Sequence, residues 1–180
     1  MPTKPKVFIS YSTTDRSIAE ALYKDLLDAG AEVFQFERSA TPGTSAWDEV
    51  LGWIESSDVF IVLVSKSALK SRPVNAEVVH AHYQYLNSNQ PFKLIPIVLE
   101  EEFRPHRVIR RFAQLPLDDY ATGLQRLIAE LGLERFSKSA NELRDNRDLL
   151  VSNFAEGVFR SNRAKAHKDS HLFERFASSP

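Results

Sequence analysis

The sequence predicts an α/β fold of the flavodoxin-like, three-layer kind, with a five-stranded parallel sheet in the order 2-1-3-4-5 between layers of helices. Two observations support this class. Short apolar runs alternate with amphipathic stretches from residue 6 to about residue 133, with short connections between them. Residues 59–64 are all apolar, which a strand requires only when both of its faces are covered.

The N-terminal residues predict a strand followed by a helix. Val7, Phe8 and Ile9 form a buried strand that stops at Ser10 and Tyr11. The helix over about 15–29 has Thr14 or Asp15 as its candidate N-cap and Gly30 just after its end. Its apolar stripe consists of Ile18, Leu22, Leu26 and Ala29.

Residues 31–36 predict the second strand, and 37–45 predict a loop with a turn at Pro42-Gly43. A helix over about 45–56 follows. Its apolar face holds Trp47, Val50, Leu51 and Ile54. This placement favours core packing for Trp47, with pocket lining as the second interpretation.

The third strand covers 58–65 and is followed by a polar connection over 65–72. Pro73 suits the first position of the next helix, which runs to about Leu86. The side chains expected to face the sheet are Ala76, Val79, Tyr83 and Leu86.

The fourth strand, over 93–99, contains Pro96. Because proline has no N–H to donate, this strand should lie near the sheet edge or beside a short neighbour. Residues 112–117 could supply that neighbour, and a helix from about 119 to 131 ends at Gly132.

The pattern changes near Phe136, which predicts two parts: a domain over 1–135 and a helical extension over 136–180. The extension has an amphipathic stretch marked by Leu143, Leu150, Phe154 and Val158. It could clasp the domain, serve as an oligomerisation arm, or contact an effector.

Composition narrows the function classes. The formal net charge of −1 gives no long-range field for nucleic acid or an anionic membrane. The absence of cysteine excludes disulfides and thiolate chemistry. No apolar run is long enough to span a bilayer, so a cytoplasmic location is expected. The histidines give no convincing metal site, since no third ligand accompanies the i, i+4 pair His167 and His171.

Parallel sheets bind ligands beyond the carboxyl ends of their strands, where the strand order reverses. In the predicted order this point lies between the first and third strands. The segments that project there are 10–15 and 65–72, with the 37–45 loop beside them. We therefore expect a ligand cleft at this edge of the sheet.

Four stretches in order and spacing resemble the Toll/interleukin receptor (TIR) domain family: "VFISYSTTD", "VFQFERSATPGTSAW", "SDVFIVLVSKSALKS" and the "AE" at 76–77. The resemblance covers roughly residues 5–133. It implies one of two roles: a scaffold that signals by self-association, or, as in most bacterial members, an enzyme that cleaves the nicotinamide–ribose bond of NAD+.

The enzymatic role would require a glutamate in the helix after the third strand, and the matching residue is Glu77. Pro73 stands where the family has a tryptophan. The resemblance further implies that Ser10, Tyr11, Phe36, Glu37, Trp47 and Ser71 shape the NAD+ pocket. NAD+ would be a substrate, with no cofactor or metal. Without the resemblance, the sequence favours a solvent-facing glutamate near a helix start over a functional one, because the macrodipole favours any carboxylate there.

The resemblance also implies self-association, with the 37–45 loop of one subunit completing the site of the next. A bacterial-type member would act in immune or anti-phage signalling, with a downstream effector sensing a linear or cyclic ADP-ribose product. The alternatives are a non-enzymatic TIR scaffold acting through the same loop, and a nucleoside deoxyribosyltransferase-like enzyme with a covalent glutamate.

Overall fold

The computed structural model describes residues 4–35, 45–99, 107–117 and 119–133. Five strands and five α-helices lie in these ranges, with short 3₁₀ turns at Thr13–Asp15 and Ile109–Arg111. The strands are β1 (Lys6–Ser10), β2 (Glu32–Phe34), β3 (Val59–Val64), β4 (Lys93–Val98) and β5 (Leu115–Pro116). The helices are α1 (Arg16–Asp28), α2 (Ala46–Ser56), α3 (Lys66–Lys70), α4 (Arg72–Asn87) and α5 (Tyr120–Glu130).

The five strands form one parallel sheet in the order β2-β1-β3-β4-β5, which confirms the predicted fold class. β3 lies in the centre, and all six of its residues are buried. This position explains its unbroken apolar sequence, because both faces of a central parallel strand are covered by helices.

Two apolar clusters fill the space on either side of the sheet. The first contains Leu22 and Leu26 of α1 with Leu124 and Leu127 of α5. The second contains residues of α2 and α4, among them Ile54 and Val78. The three-layer arrangement is therefore confirmed, with α1 and α5 on one face and α2 and α4 on the other.

The start of α1 differs from the expectation. Asp15 is the N-cap residue but makes no side-chain capping bond, and Ser12 caps the preceding 3₁₀ turn through Thr14 N. The Asp15 carboxylate instead accepts a hydrogen bond from Ser65. Gly30 follows the helix with φ +102°, a conformation that glycine adopts without strain, as its position predicted.

The expected inward face of α4 is wrong. Val79, Tyr83 and Leu86 are 58%, 63% and 64% exposed. The buried residues are Val74, Glu77, Val78 and Ala81. Both sets have helical spacing, and the set that packs against the sheet contains no aromatic side chain. Glu77 is buried because it lies on the same face of the helix as Val74, Val78 and Ala81.

The connection over 65–72 is also more ordered than predicted, because it contains α3. Ser65 caps this short helix by accepting a hydrogen bond from Ala68 N at 3.0 Å. The expectation for Pro96 is confirmed, since β4 pairs on its outer side with β5, which has two residues.

Several expectations lie outside the described residues: Phe36, Glu37, the loop up to residue 44, and the extension over 136–180. In the part of the chain that is described, no helix has the length and apolar character needed to cross a membrane.

Candidate functional site

The carboxyl ends of β1 and β3 meet at the point where the strand order reverses. β1 ends at Ser10 and β3 at Val64, and the two strands are direct neighbours. Ser65 and α3 continue from β3 at this edge, and α4 begins directly after them. The crevice predicted for this fold class therefore has its walls in the expected segments.

Glu77 lies in the second turn of α4 and is only 9% exposed. Ser71 begins this helix as its N-cap, accepting a hydrogen bond from Val74 N. The Ser10 hydroxyl donates to Glu77 Oε2 at 2.5 Å. This bond joins the end of β1 to α4 and holds the carboxyl at the crevice.

Burial raises the pKa of the Glu77 carboxyl to about 7, because desolvation disfavours the charged form. The Ser10 hydrogen bond acts in the opposite direction and lowers this pKa, since a donor stabilises the carboxylate. The group therefore changes its charge near neutral pH, which is typical of residues that act in catalysis.

A cavity of about 440 Å³ opens beside Glu77. We call it the β1–β3 cavity; it is lined by Phe8, Ile9, Tyr11, Thr13, Ala46, Trp47, Val50, Ser71, Pro73 and Glu77. Aromatic and aliphatic side chains form most of its wall, and the carboxyl of Glu77 is its acidic group. Such a cavity can hold a planar ring and stabilise positive charge that develops next to the carboxylate.

The structure brings together most of the predicted site residues that it describes. Tyr11, Trp47, Ser71 and Glu77 line the β1–β3 cavity, and Ser10 contacts it through its hydrogen bond to Glu77. The core position favoured for Trp47 is wrong, since this side chain is 41% exposed. Trp47 occupies the first turn of α2, while the sheet-facing positions of that helix belong to Val50 and Ile54.

A family model of the TIR domain matches residues 7–128. The chain belongs to the TIR domain family. All ten residues of the cavity wall, from Phe8 to Glu77, lie inside the matched range. A comparison with curated protein sequences found no match.

Solved structures similar to this TIR domain share its fold. The TIR domain of the Toll-related receptor TRR-2 from Hydra magnipapillata is 22% identical, with a TM-score of 0.59, over 69% of this chain and 96% of that one. A prokaryotic SEFIR domain is 22% identical with a TM-score of 0.55, over 76% and 97%. The TIR domains of the activated Roq1 resistosome, which directly recognises the pathogen effector XopQ, are 18% identical with a TM-score of 0.51, over 84% of each chain.

Sequence reasoning missed a hydrogen-bond cluster at the carboxyl ends of β1 and β3 in this TIR domain. The Asp15 carboxylate, in a residue 2% exposed, accepts from Ser65 Oγ at 2.6 Å and from Ser67 Oγ at 3.2 Å. The cluster ties the segment after β1 to the segment after β3. An aspartate directly before α1 and serines soon after a buried strand were the available signals.

Sequence reasoning did not assign six residues of the wall to the site: Phe8, Ile9, Thr13, Ala46, Val50 and Pro73. Thr13 and Pro73 line the cavity together with the predicted residues. Pro73 occupies the first turn of α4, one helical turn before Glu77, so its ring lies on the wall that carries the carboxyl. The position at which the sequence departs from the family pattern is therefore part of the cavity.

Proposed function

We propose that this TIR domain cleaves NAD+ at the bond between nicotinamide and ribose. The observation that carries the proposal is the position of Glu77. Its buried carboxyl lies at the crevice between β1 and β3 and lines a cavity of about 440 Å³. A catalytic carboxylate needs this combination of a fixed position and access to a bound substrate.

Cleavage breaks the bond from ribose C1′ to the pyridinium nitrogen. The bonding electron pair leaves with nicotinamide, which becomes neutral, and positive charge develops on the ribose as an oxocarbenium-like state. The Glu77 carboxylate stabilises this charge, and the already cationic leaving group needs no proton. Addition of water at C1′ then releases a proton and gives ADP-ribose, whereas attack by an adenine nitrogen gives a cyclic product.

The cavity wall supports binding of the nicotinamide end of the substrate. The rings of Tyr11 and Trp47 offer flat apolar surfaces for a planar cation, and the Ser71 hydroxyl can hydrogen-bond a ribose or amide group. None of the wall residues in the described ranges is cationic. We therefore expect the pyrophosphate to contact groups outside these wall residues, and the resemblance predicts that the 37–45 loop of a second copy helps to form the remainder of the site.

The pKa of about 7 for Glu77 predicts how the reaction depends on pH. The ionised carboxylate is the active form, so turnover rises as the pH increases through about 7. Well below this pH, the rate falls about tenfold for each pH unit.

Product analysis of NAD+ incubated with concentrated protein tests the proposal. Wild-type protein should release nicotinamide, and Glu77→Gln should lower that rate by a factor of at least about 100, as expected for loss of a charge-stabilising group. Glu32→Gln is the matched control, because Glu32 is an exposed glutamate on β2, outside the cavity. Undiminished turnover by Glu77→Gln would contradict the assignment.

A second candidate is a non-enzymatic scaffold that acts by contacts between TIR domains. The exposed Val79, Tyr83 and Leu86 on α4 favour this alternative, because apolar side chains grouped on one face often mark contact surfaces. Concentration-dependent assembly without any nicotinamide release from wild-type protein would support it. A role in immune or anti-phage signalling, an effector that senses the product, and a cytoplasmic location stay predictions from the sequence.

A further inference from the structure

The outer edge of the sheet is incomplete next to β4. Among the described residues, β5 pairs with Ile97 and Val98 and does not reach the first half of β4. Residues 93–96 pair with β3 on their inner side. Their outer side therefore faces a groove instead of a neighbouring strand.

Backbone hydrogen bonds show which peptide groups point into this groove. Lys93 N donates to Asp58 O and Leu99 N donates to Val64 O, both toward the β3 side. Successive residues of a strand direct their peptide groups to alternate sides. The N–H and C=O of Leu94 therefore face outward, and so does the nitrogen of Pro96, which has no hydrogen to donate.

The groove has a volume of about 460 Å³. We call it the edge groove; its apolar wall consists of Tyr85, Phe92, Leu94, Ile95, Phe112, Ala113, Leu115 and Pro116. The rings of Tyr85 and Phe112 meet edge to face, with centroids 4.9 Å apart. Its charged side chains are Lys93, Arg126 and Glu130. The groove thus combines an aromatic wall, a strand edge and a mixed-charge rim.

The chain leaves α5 beside this groove. Lys93 Nζ donates to the backbone oxygen of Glu130 at 2.9 Å and to its Oε1 at 2.7 Å, which fastens the end of α5 to the start of β4. Gly132 then turns the chain with φ +66°, and Leu133 N donates back to Ile128 O at 3.0 Å. Residues 134–180 continue from Leu133, which is only three residues after Glu130, a residue that lines the groove.

We propose that residues 134–138 of the same chain occupy the edge groove, with the Phe136 ring against Tyr85 and Phe112. The sequence of this segment, E-R-F-S-K, suits the site. Phe136 comes three residues after Leu133, a separation that an extended chain spans in about 10 Å. In this arrangement Glu134, which precedes Phe136 in the chain, is on the side nearer α5, where Arg126 supplies positive charge in addition to the Lys93–Glu130 pair.

Occupancy by this segment would protect an open strand edge. Unpaired N–H and C=O groups along a sheet edge can bind extended segments of other molecules, and proteins commonly cover such edges. A segment that pairs with Leu94 satisfies these groups within the molecule. The proposal concerns the edge of the sheet opposite β2 and does not depend on the proposed cleavage of NAD+.

Disulfide trapping in the full-length chain tests the proposal, because the protein contains no native cysteine. Gln114→Cys places a thiol in the exposed part of the groove wall, and Ser137→Cys places the second next to Phe136. Arg110→Cys with Ser137→Cys is the matched control, since Arg110 is exposed, lies outside the groove and is a similar number of residues from Ser137.

Under mild oxidation, the groove pair should form an intramolecular disulfide at least about ten times faster than the control pair, independent of protein concentration. Equal rates for the two pairs would overturn the proposal. Disulfide-linked dimers that increase with concentration would also overturn it, because a second copy would then occupy the groove.

Hydrogen exchange provides an independent measurement. The Leu94 amide should exchange at least about tenfold faster in Phe136→Asp than in wild-type protein, whereas Phe173→Asp should leave it unchanged. Unchanged exchange in Phe136→Asp would overturn the proposal. Should that variant lose its fold, the disulfide comparison still decides the question in a chain that retains Phe136.

Discussion

Replacing Glu77 with glutamine should stabilise the protein, by an amount that grows with pH. Glutamine keeps the shape of the side chain and can still accept the Ser10 hydrogen bond, but it has no charge to bury. In the wild-type protein, the pKa of Glu77 rises from 4.5 to about 7 because folding removes the carboxyl from water. Ionisation of this group therefore opposes folding.

The sign and size of the effect follow from proton linkage. Between about pH 4.5 and about pH 7, the folded state binds more protons at Glu77 than the unfolded state, so the free energy of unfolding decreases as the pH rises. The stabilisation is fully present below the unfolded pKa and is lost as the pH passes the folded one. At about 1.4 kcal/mol per pKa unit, the total loss is about 3 kcal/mol.

Urea unfolding of wild type and Glu77→Gln, followed by circular dichroism, measures the effect. Most of the decrease of about 3 kcal/mol in the wild-type free energy of unfolding should appear between about pH 5 and about pH 8. The free energy of unfolding of Glu77→Gln should therefore increase relative to that of wild type as the pH rises. Subtracting one curve from the other removes the titration of groups that both proteins share. A difference that stays constant across this range would show that the Glu77 carboxyl is not desolvated, which would refute the reasoning.

Two further predictions concern the wall of the β1–β3 cavity. Ser10→Ala removes the hydroxyl that lowers the pKa of Glu77, so the midpoint of the rate-against-pH profile should move above 7; an unmoved midpoint would mean that the hydrogen bond does not act on the carboxyl in solution. Trp47→Ala should raise the KM for NAD+ about fivefold, the size of a typical aromatic stacking contribution, with little change in the free energy of unfolding because the side chain is 41% exposed. Trp53→Ala is its contrasting control: this ring stacks on Phe34 with centroids 6.2 Å apart, so its loss should destabilise the fold by about 2 kcal/mol and leave KM unchanged. Equal effects of the two tryptophan variants on KM would contradict a substrate-binding role for Trp47.

The sheet and its strand order could be predicted because a strand that is covered on both faces needs apolar residues at every position. The run Val59–Val64 is apolar at every position, which only a covered central strand requires. The two-residue β5 beside Pro96 could be predicted for a similarly direct reason, since a missing N–H limits pairing on one side. The ligand crevice then follows from the strand order.

The orientation of single side chains was harder to predict. Asp15 was expected to cap a helix, but its carboxylate binds the hydroxyl groups of Ser65 and Ser67, which are distant along the chain. Trp47 shares a helical stripe with Val50 and Ile54, yet it lies beyond the part of α2 that covers the sheet. In both cases the partner that decides the orientation comes from another part of the fold.

By itself, the sequence determined that this protein is an α/β domain with a crevice between β1 and β3, because the spacing of apolar residues records which elements must be covered. Only the tertiary structure decided that Glu77 enters this crevice. α4 has two stripes at helical spacing, and local periodicity does not distinguish them. The fit of Val74, Val78 and Ala81 against the sheet selects one stripe, and Glu77 is buried because it lies on the same face.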